Sequence, residues 1–439
     1  MGQKTTVQLV ERYESGEDCR SGWSPPLRKA REGLPSVRKL GVILAIAIAS
    51  FLVACTREVT EKQGSGATDA SSDIASTDSS RASEKRALTW TSFRGDRGLS
   101  GYSSEQPGER FSLAWTFSTG DGIRSSPVVH GDRVVFGSFD GNTYALDVES
   151  GEELWRFVAG SPIEAAPFIY EQRVYVGSYA GTLFSLDLKN GKKLWEYQTG
   201  GQISGSANAY HVESAGTNVI LVGSYDSMLH AVDGDSGEPL WTYASGYYIN
   251  GTPAIYDGLA VFGGCDALIH FVSIEDGRKV ADVDTGAYIA SSPAIANDSL
   301  YIGNFDDRFL RVDVDSFEIA WDFHSGEEGN EFFASPAVAG SNLVVGSRDR
   351  KLRCIDSQSG LEKWKFTTGA NIDASPVIAG DFVIFGSLDG RLYIVNLETG
   401  AEIWSYEIGA PVSSSPAFVD GRIFVGCDDG IFYVFEEAR

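Results

Sequence analysis

Few residues of this chain could do covalent, proton-transfer or metal chemistry. His230 and His270 occupy corresponding places in two similar stretches, Leu-His-Ala-Val-Asp and Ile-His-Phe-Val-Ser. Two imidazoles so placed could hold a metal or move a proton. The same place is taken elsewhere by Tyr144, Tyr393 and Tyr433, so a packing role fits the whole set better. Asp313-Val314-Asp315-Ser316 spaces its carboxylates like a calcium loop, but the glycine and terminal glutamate of such a loop are missing. Cys19, Cys55, Cys265, Cys354 and Cys427 include no adjacent pair and no C-x-x-C-H. The last three fall in separate repeats, and are expected to be small buried side chains rather than a disulfide framework. There is no nucleophile elbow, phosphate loop or H-E-x-x-H. The residues therefore predict no catalytic set, no metal and no cofactor.

The elements that must carry these residues repeat. Ser375 to Trp404 reads as three short strands and the start of a fourth. Asp389-Gly390 suits a tight hairpin turn, and Gly400 stands where the backbone needs positive φ. The sentence recurs eight times, marked by Trp115, Trp155, Trp195, Trp241, Trp321, Trp364 and Trp404, with Val280 standing in once. A G-S-x-D-G turn recurs at Gly137–Gly141 and Gly386–Gly390. An S-P opening recurs at Ser126, Ser292, Ser335, Ser375 and Ser415. A period near forty with four strands per period predicts an all-β fold, an eight-bladed β-propeller of four-stranded antiparallel blades whose tryptophans dock blade on blade. The last copy has three strands and the strand around Trp115 has none before it. The N-terminal strand is therefore expected to complete the eighth blade, which hides two sheet edges.

On these motifs, and on the opening Trp90-Thr91-Ser92-Phe93-Arg94-Gly95, the chain resembles the pyrroloquinoline-quinone-like (PQQ-like) repeat propellers from about Trp90 onward. With the lipid-anchor signal described next, it looks most like the BamB-type lipoproteins of outer-membrane β-barrel assembly. That resemblance implies a non-catalytic scaffold whose partner is a barrel-assembly or other envelope protein. The wider superfamily implies an alternative, a quinone- or carbohydrate-binding propeller related to quinoprotein dehydrogenases, with PQQ and calcium. A third reading is an envelope repeat protein of other function, since the blade motif specifies the fold and not the role.

Residues 1–36 read as a polar leader, and a true start near Val37 is expected. Residues 37–54 pair a basic start with a short apolar run ending Leu52-Val53-Ala54, a signal peptide too short to span a bilayer. Cys55 after that run resembles the lipidated cysteine of bacterial lipoproteins, and Thr56 the outer-membrane-sorted type. Residues 55–88 hold the anchor site and a tether of Ser, Thr, Asp, Glu, Lys and Ala that cannot bury a core. Residues 89–439 are the propeller. The chain would thus be a monomer facing the periplasm, held to the outer membrane by lipid. Beyond residue 54 it carries 28 Lys and Arg against 55 Asp and Glu. That balance argues against nucleic acid or anionic lipid as partners.

Docking is expected on the loops that enter blades four to six. They put Tyr247, Tyr248, Tyr288, Phe332 and Phe333 around one sector, beside Arg308, Arg348 and Asp349. Aromatics on loops over a rigid scaffold suit protein recognition. An insertion at His211–Thr217 is expected on the opposite face, and Phe317, where other copies have glycine, to rebuild its turn. Intact mass of membrane-extracted protein should show a lipid on Cys55 that Cys55→Ser abolishes. Its N-terminal peptides should include none from before Val37.

Overall fold

The computed structural model describes residues 89–326 and 330–438. Among them every regular element is a β-strand. The strands form eight sheets, each built on four antiparallel strands, with one short strap strand added to the first and to the seventh. The seventh blade is representative: Val377–Ala379, Phe382–Gly386, Arg391–Asn396 and Glu402–Glu407 pair in order. Phe382–Gly386 is apolar and wholly buried because neighbouring blades cover both its faces. The outermost strand keeps one side in solvent. In the eighth sheet Phe111–Ser118 pairs antiparallel with Ile431–Glu437, Trp115 facing Val434. The innermost strands neighbour one another round the axis, and Ala417–Val419 of the eighth blade lies beside Val128–His130 of the first.

Two devices weld the blades. Six tryptophans of outermost strands, Trp115, Trp155, Trp195, Trp241, Trp321 and Trp364, reach the next blade's third turn, while Trp404 packs on Phe111 and Phe435 of the eighth blade. The Trp155 indole N–H donates to the Leu188 carbonyl at 2.9 Å, and Trp364 to Leu397 at 2.8 Å. The ring lies on that turn's glycine. A Cβ on Gly277 would sit 2.7 Å from the Trp241 ring, and one on Gly360 2.8 Å from Trp321. Both glycines also have positive φ, so glycine is required twice over. The second device is on the axis. The backbone N–H groups of Ser206, Thr252, Ser292, Ser335 and Ser375 each donate to the hydroxyl of the following blade, on Thr252, Ser292, Ser335, Ser375 and Ser415, at 2.8–3.0 Å. The S-P opening thus supplies the acceptor that an inner sheet edge needs.

Side-chain size, not spacing, misplaces one tryptophan position at Val280. Ala281, not Val280, pairs with Phe271 where Trp241 pairs with Ala231. Val280 takes the exposed place that Leu194 and Leu240 hold. The turn at Phe317 is not rebuilt either. Phe317 keeps φ +59 and its N–H donates to Asp313 at 2.9 Å, as Gly360 does to Asp356. Its ring packs on Phe271 at 4.8 Å, in one cluster with Ala281. The pair has exchanged sizes: large–small elsewhere, small–large here.

A strap from Thr89 to Arg110 winds over the axis. Thr89–Trp90 adds to the first blade and Tyr102–Ser103, parallel, to the seventh. Between them, the carbonyls of Thr91, Arg97, Gly98, Ser100 and Gly101 accept the inner-edge N–H groups of Ile169, Ile255, Ile295, Val338 and Ile378.

Ala281→Trp alone should overpack and cost about 1–3 kcal/mol. Phe317→Gly alone should cost about 2–4 kcal/mol through the void it leaves. The double variant, which restores the repeat's own pairing, should recover at least about 1 kcal/mol of that sum in a urea-unfolding cycle. Simple additivity would show that the two positions do not share one space.

Candidate docking face and axial pit

The loops entering each blade and the blade's central hairpin meet on one face. The hairpin aspartate joins them. Asp226 accepts the N–H of Gly200 at 2.6 Å, Asp266 that of Gly246 at 2.6 Å, and Asp389 that of Gly369 at 2.8 Å. The same aspartate holds the residue four places on: Tyr144, His230, His270, Arg353, Tyr393 or Tyr433, according to the blade. His230 and His270 are therefore members of one structural series. Each bonds an aspartate of its own blade and a tyrosine hydroxyl of the blade before, Tyr197 at 3.0 Å and Tyr243 at 3.1 Å. His270 also meets Asp282 at 3.1 Å. Burial works against ionisation of Asp226 and Asp266, but the N–H donors and the histidines outweigh it and hold both below the ordinary value. Asp349 is held low in the same way by Arg353 and Ser347.

The expected docking residues fall into two groups. Tyr247 and Tyr248 are half-buried and lie 4.3 Å apart, and Tyr248 stacks on Tyr225 at 4.9 Å with planes 5° apart. Sequence reasoning misses Tyr225. It fills the variable slot of the recurrent G-S-x-D hairpin, as does Phe139, and Tyr179 takes the same hairpin position before Ala180, so the motif itself carries the signal. Its hydroxyl donates to Asn250, which fixes the stack. Phe333 is half-buried, 6.3 Å from Phe305, with the Arg348 guanidinium 4.4 Å above its ring. Tyr288, also half-buried, lies between these groups in sequence, and its carbonyl accepts the Phe305 N–H at 2.9 Å.

Phe332 is not surface, and the three charged members are bonded within the ring. Phe332 is fully buried against Phe309 at 5.4 Å, its Cβ pressed on Gly303. It occupies the blade-junction place that Ile249 and Ile289 fill on Gly223 and Gly263. Asp349 is only 9 % exposed and spends its carboxylate on Arg353, Ser347 and Lys351. Arg308 donates to the Thr285 carbonyl at 2.8 Å and pairs with Asp322 at 3.0 Å, inside its own blade. Arg348 is clamped by Glu331 at 2.6 Å and by both oxygens of Asp373 at 3.1 Å. Burial lowers its pKa, and those two carboxylates more than reverse that.

The axis opens on this face as a pit of about 120 Å³. Phe93 of the strap and Phe333 line it, with Arg124, Glu164, Asp373 and the axial hydroxyls. Among the described residues no three His, Cys, Asp or Glu side chains are grouped to hold a metal. Asp313 of the calcium-like stretch accepts the N–H groups of Asp315 and Ser316 at 3.2 and 2.8 Å, closing its own turn. Cys265, Cys354 and Cys427 are buried; Cys354 and Cys427 are free thiols that burial pushes up to about 12, whereas Cys265 is disulfide-bonded, against the expectation of three plain buried side chains. The His211–Thr217 insertion lengthens the first hairpin of blade three, at the end away from Tyr225. Cys55, with its signal peptide and tether, lies outside the described residues.

A family model described as outer membrane protein assembly factor BamB matches residues 112–322, 207–370 and 349–439. The chain belongs to the BamB family. Among solved structures it is similar to BamB from Moraxella catarrhalis, with a TM-score of 0.64 and 17% identity over 74% of this chain and 98% of that one. It is also similar to the quinohemoprotein alcohol dehydrogenase of Comamonas testosteroni, at 0.68 and 14% over 80% and 81%. A computationally designed protein, Ika8, matches at 0.64 and 17% over 73% and 97%. At such identities these three likenesses speak for the fold alone. No curated protein sequence matches.

The lowered hairpin aspartates set a pH dependence. A carboxyl whose folded pKa lies below its ordinary 3.8 adds stability above that value and loses it as pH falls through the folded value. The urea midpoint should be flat above about pH 5 and fall steadily below about pH 4. Asp266→Asn should lower the plateau and make that fall shallower.

Proposed function

We propose that this BamB-family chain is a non-catalytic scaffold lipoprotein. It faces the periplasm from the outer membrane, held by lipid on Cys55, and docks a protein partner in outer-membrane β-barrel assembly. The observation that carries the docking reading is the tyrosine stack of Tyr225, Tyr248 and Tyr247. Three aromatic rings are held rigid at the surface by the hairpin of blade three and the loop entering blade four. Preorganised aromatics lose little freedom on binding and bury much area. Phe333, Phe305 and Tyr288 extend the surface toward blades five and six. Arg348 beside it is tied up by the two carboxylates of Glu331 and Asp373, so a partner meets an aromatic surface flanked by an internally bonded, net negative network. A tethered head of this kind raises the local concentration of its partner, and of unfolded barrel substrate, near the membrane.

The alternative, a quinone- or carbohydrate-binding propeller, draws on the fold of the dehydrogenases. The axial pit of about 120 Å³ is small beside the roughly 300–1,000 Å³ of pockets that enclose drug-sized ligands.

Cross-linking in native envelopes, followed by pull-down and mass spectrometry, should recover a β-barrel assembly protein. Tyr247→Ala with Tyr248→Ala, or Phe333→Ala, should cut that recovery at least tenfold while the purified protein keeps its unfolding midpoint. Phe332 is left alone because its loss would open the core. Recovery of no assembly protein would end this reading, and saturable binding of pyrroloquinoline quinone with calcium would then favour the alternative.

A further inference from the structure

Arg94 is the odd residue of the strap. It is 2% exposed and adopts φ +67, a conformation unusual for a side chain of its size. Its Nη2 donates to the Pro336 carbonyl at 2.8 Å, on the inner edge of blade six. Its Nε and Nη1 are buried with no partner. The backbone of Gly101 lies directly over the guanidinium, where no Cβ would fit. Asp96, the nearest acid along the chain, spends its carboxylate on the Ser100 N–H at 3.1 Å and on the Ser100 hydroxyl. Burial lowers the Arg94 pKa to about 9, an effect that Asp96 opposes, so the group is still a cation at neutral pH.

The neighbourhood is rich in donors. Thr252, Ser292, Ser335, Ser375 and Ser415 use their hydroxyl oxygens to accept the axial N–H groups. Among the described residues their own hydroxyl protons meet no acceptor. Ser335 directly precedes Pro336, the residue that Arg94 contacts, and Phe93 directly precedes Arg94. Both line the axial pit. A buried cation to which no carboxylate is bonded is strongly unfavourable, and water on its N–H groups would leave that charge uncompensated. Free hydroxyl protons and an unbonded guanidinium edge are the donors an anion takes.

We propose that the propeller axis binds a small monovalent anion, of halide or carboxylate size, on the free edge of Arg94 and the axial hydroxyls. The anion closes the charge of the strap and so locks the strap to the inner strands. This site is independent of what docks on the loop face. The chain carries a net charge of −24, so its surface repels anions and a saturable anion effect reports the interior.

Bromide is the probe. In crystals of the protein grown in bromide, an anomalous peak should lie beside Nε and Nη1 of Arg94. No peak there, with water alone on the axis, overturns the proposal. In solution, chloride titrated against gluconate at constant ionic strength should raise the melting temperature saturably, by several degrees. That rise should vanish in Arg94→Met. An equal rise in Arg94→Met would also overturn it, and if that variant does not fold, the diffraction result on the unaltered protein decides.

Discussion

A sheet edge facing the axis is the constraint on which this molecule is built. Each blade turns its innermost strand toward the centre, where only the short strap strands Thr89–Trp90 and Tyr102–Ser103 pair with it, on the first and seventh blades. Every N–H there must find an acceptor. The chain answers in two tiers. Near the loop face, the Ser or Thr of one blade accepts from the backbone of the blade before. One level deeper, the strap supplies a carbonyl to five of the inner strands. Side chain serves where the repeat can encode it, and main chain where a single segment must fit unlike blades.

The outer circumference depends on a different fit, between an indole and a glycine. Here the sequence is legible, because few folds place a tryptophan every forty residues, and so is the count of blades. The copy without its marker misleads. Forty residues on from Trp241, or back from Trp321, falls on Ala281, but the larger Val280 beside it looks the better stand-in for an indole. The pairing of Phe271 with Ala281 shows that the small residue holds the place. The next copy looks strained at Phe317 when the turn is considered alone, although the turn exists to receive the side chain of the blade before. With alanine there, a large residue in a left-handed turn loses its clash and gains a core contact.

The docking face is half legible for a similar reason. Tyr247, Tyr248, Tyr288 and Phe333 stand out as aromatics in irregular loops, and they do lie on that face. Phe332 stands out equally, yet it belongs to the column of Ile249 and Ile289, and superposing the repeats would place it inside. Asp349 likewise belongs to the hairpin series that holds Tyr144 and His230. Tyr225 is hidden for the opposite reason, since a residue within a repeated motif reads as part of the frame. The unanchored charge of Arg94 is not legible at all, because nothing in a sequence reveals that a guanidinium ends on one carbonyl.

Phe332 and Tyr225 mislead in opposite ways, and the difference bears on where recognition can evolve in such a ring. The hairpin aspartate ties its own loop and the loop entering the same blade, so both are fixed whatever fills the variable slot between glycine-serine and aspartate. That slot is exposed to change without penalty to the frame. It holds Phe139 and Tyr225, the same hairpin position holds Tyr179 (before Ala180) and Phe305 (after Asn304) in two further blades, and around it the entering loops add Tyr248 and Phe333. An aromatic there is held by backbone hydrogen bonds on both sides, so a binding surface gains rigid rings at no cost in strand pairing. The frame is symmetric because its contacts are blade to blade. The face is asymmetric because its variable slot contacts nothing that the ring needs, and selection for a partner can act on it one blade at a time.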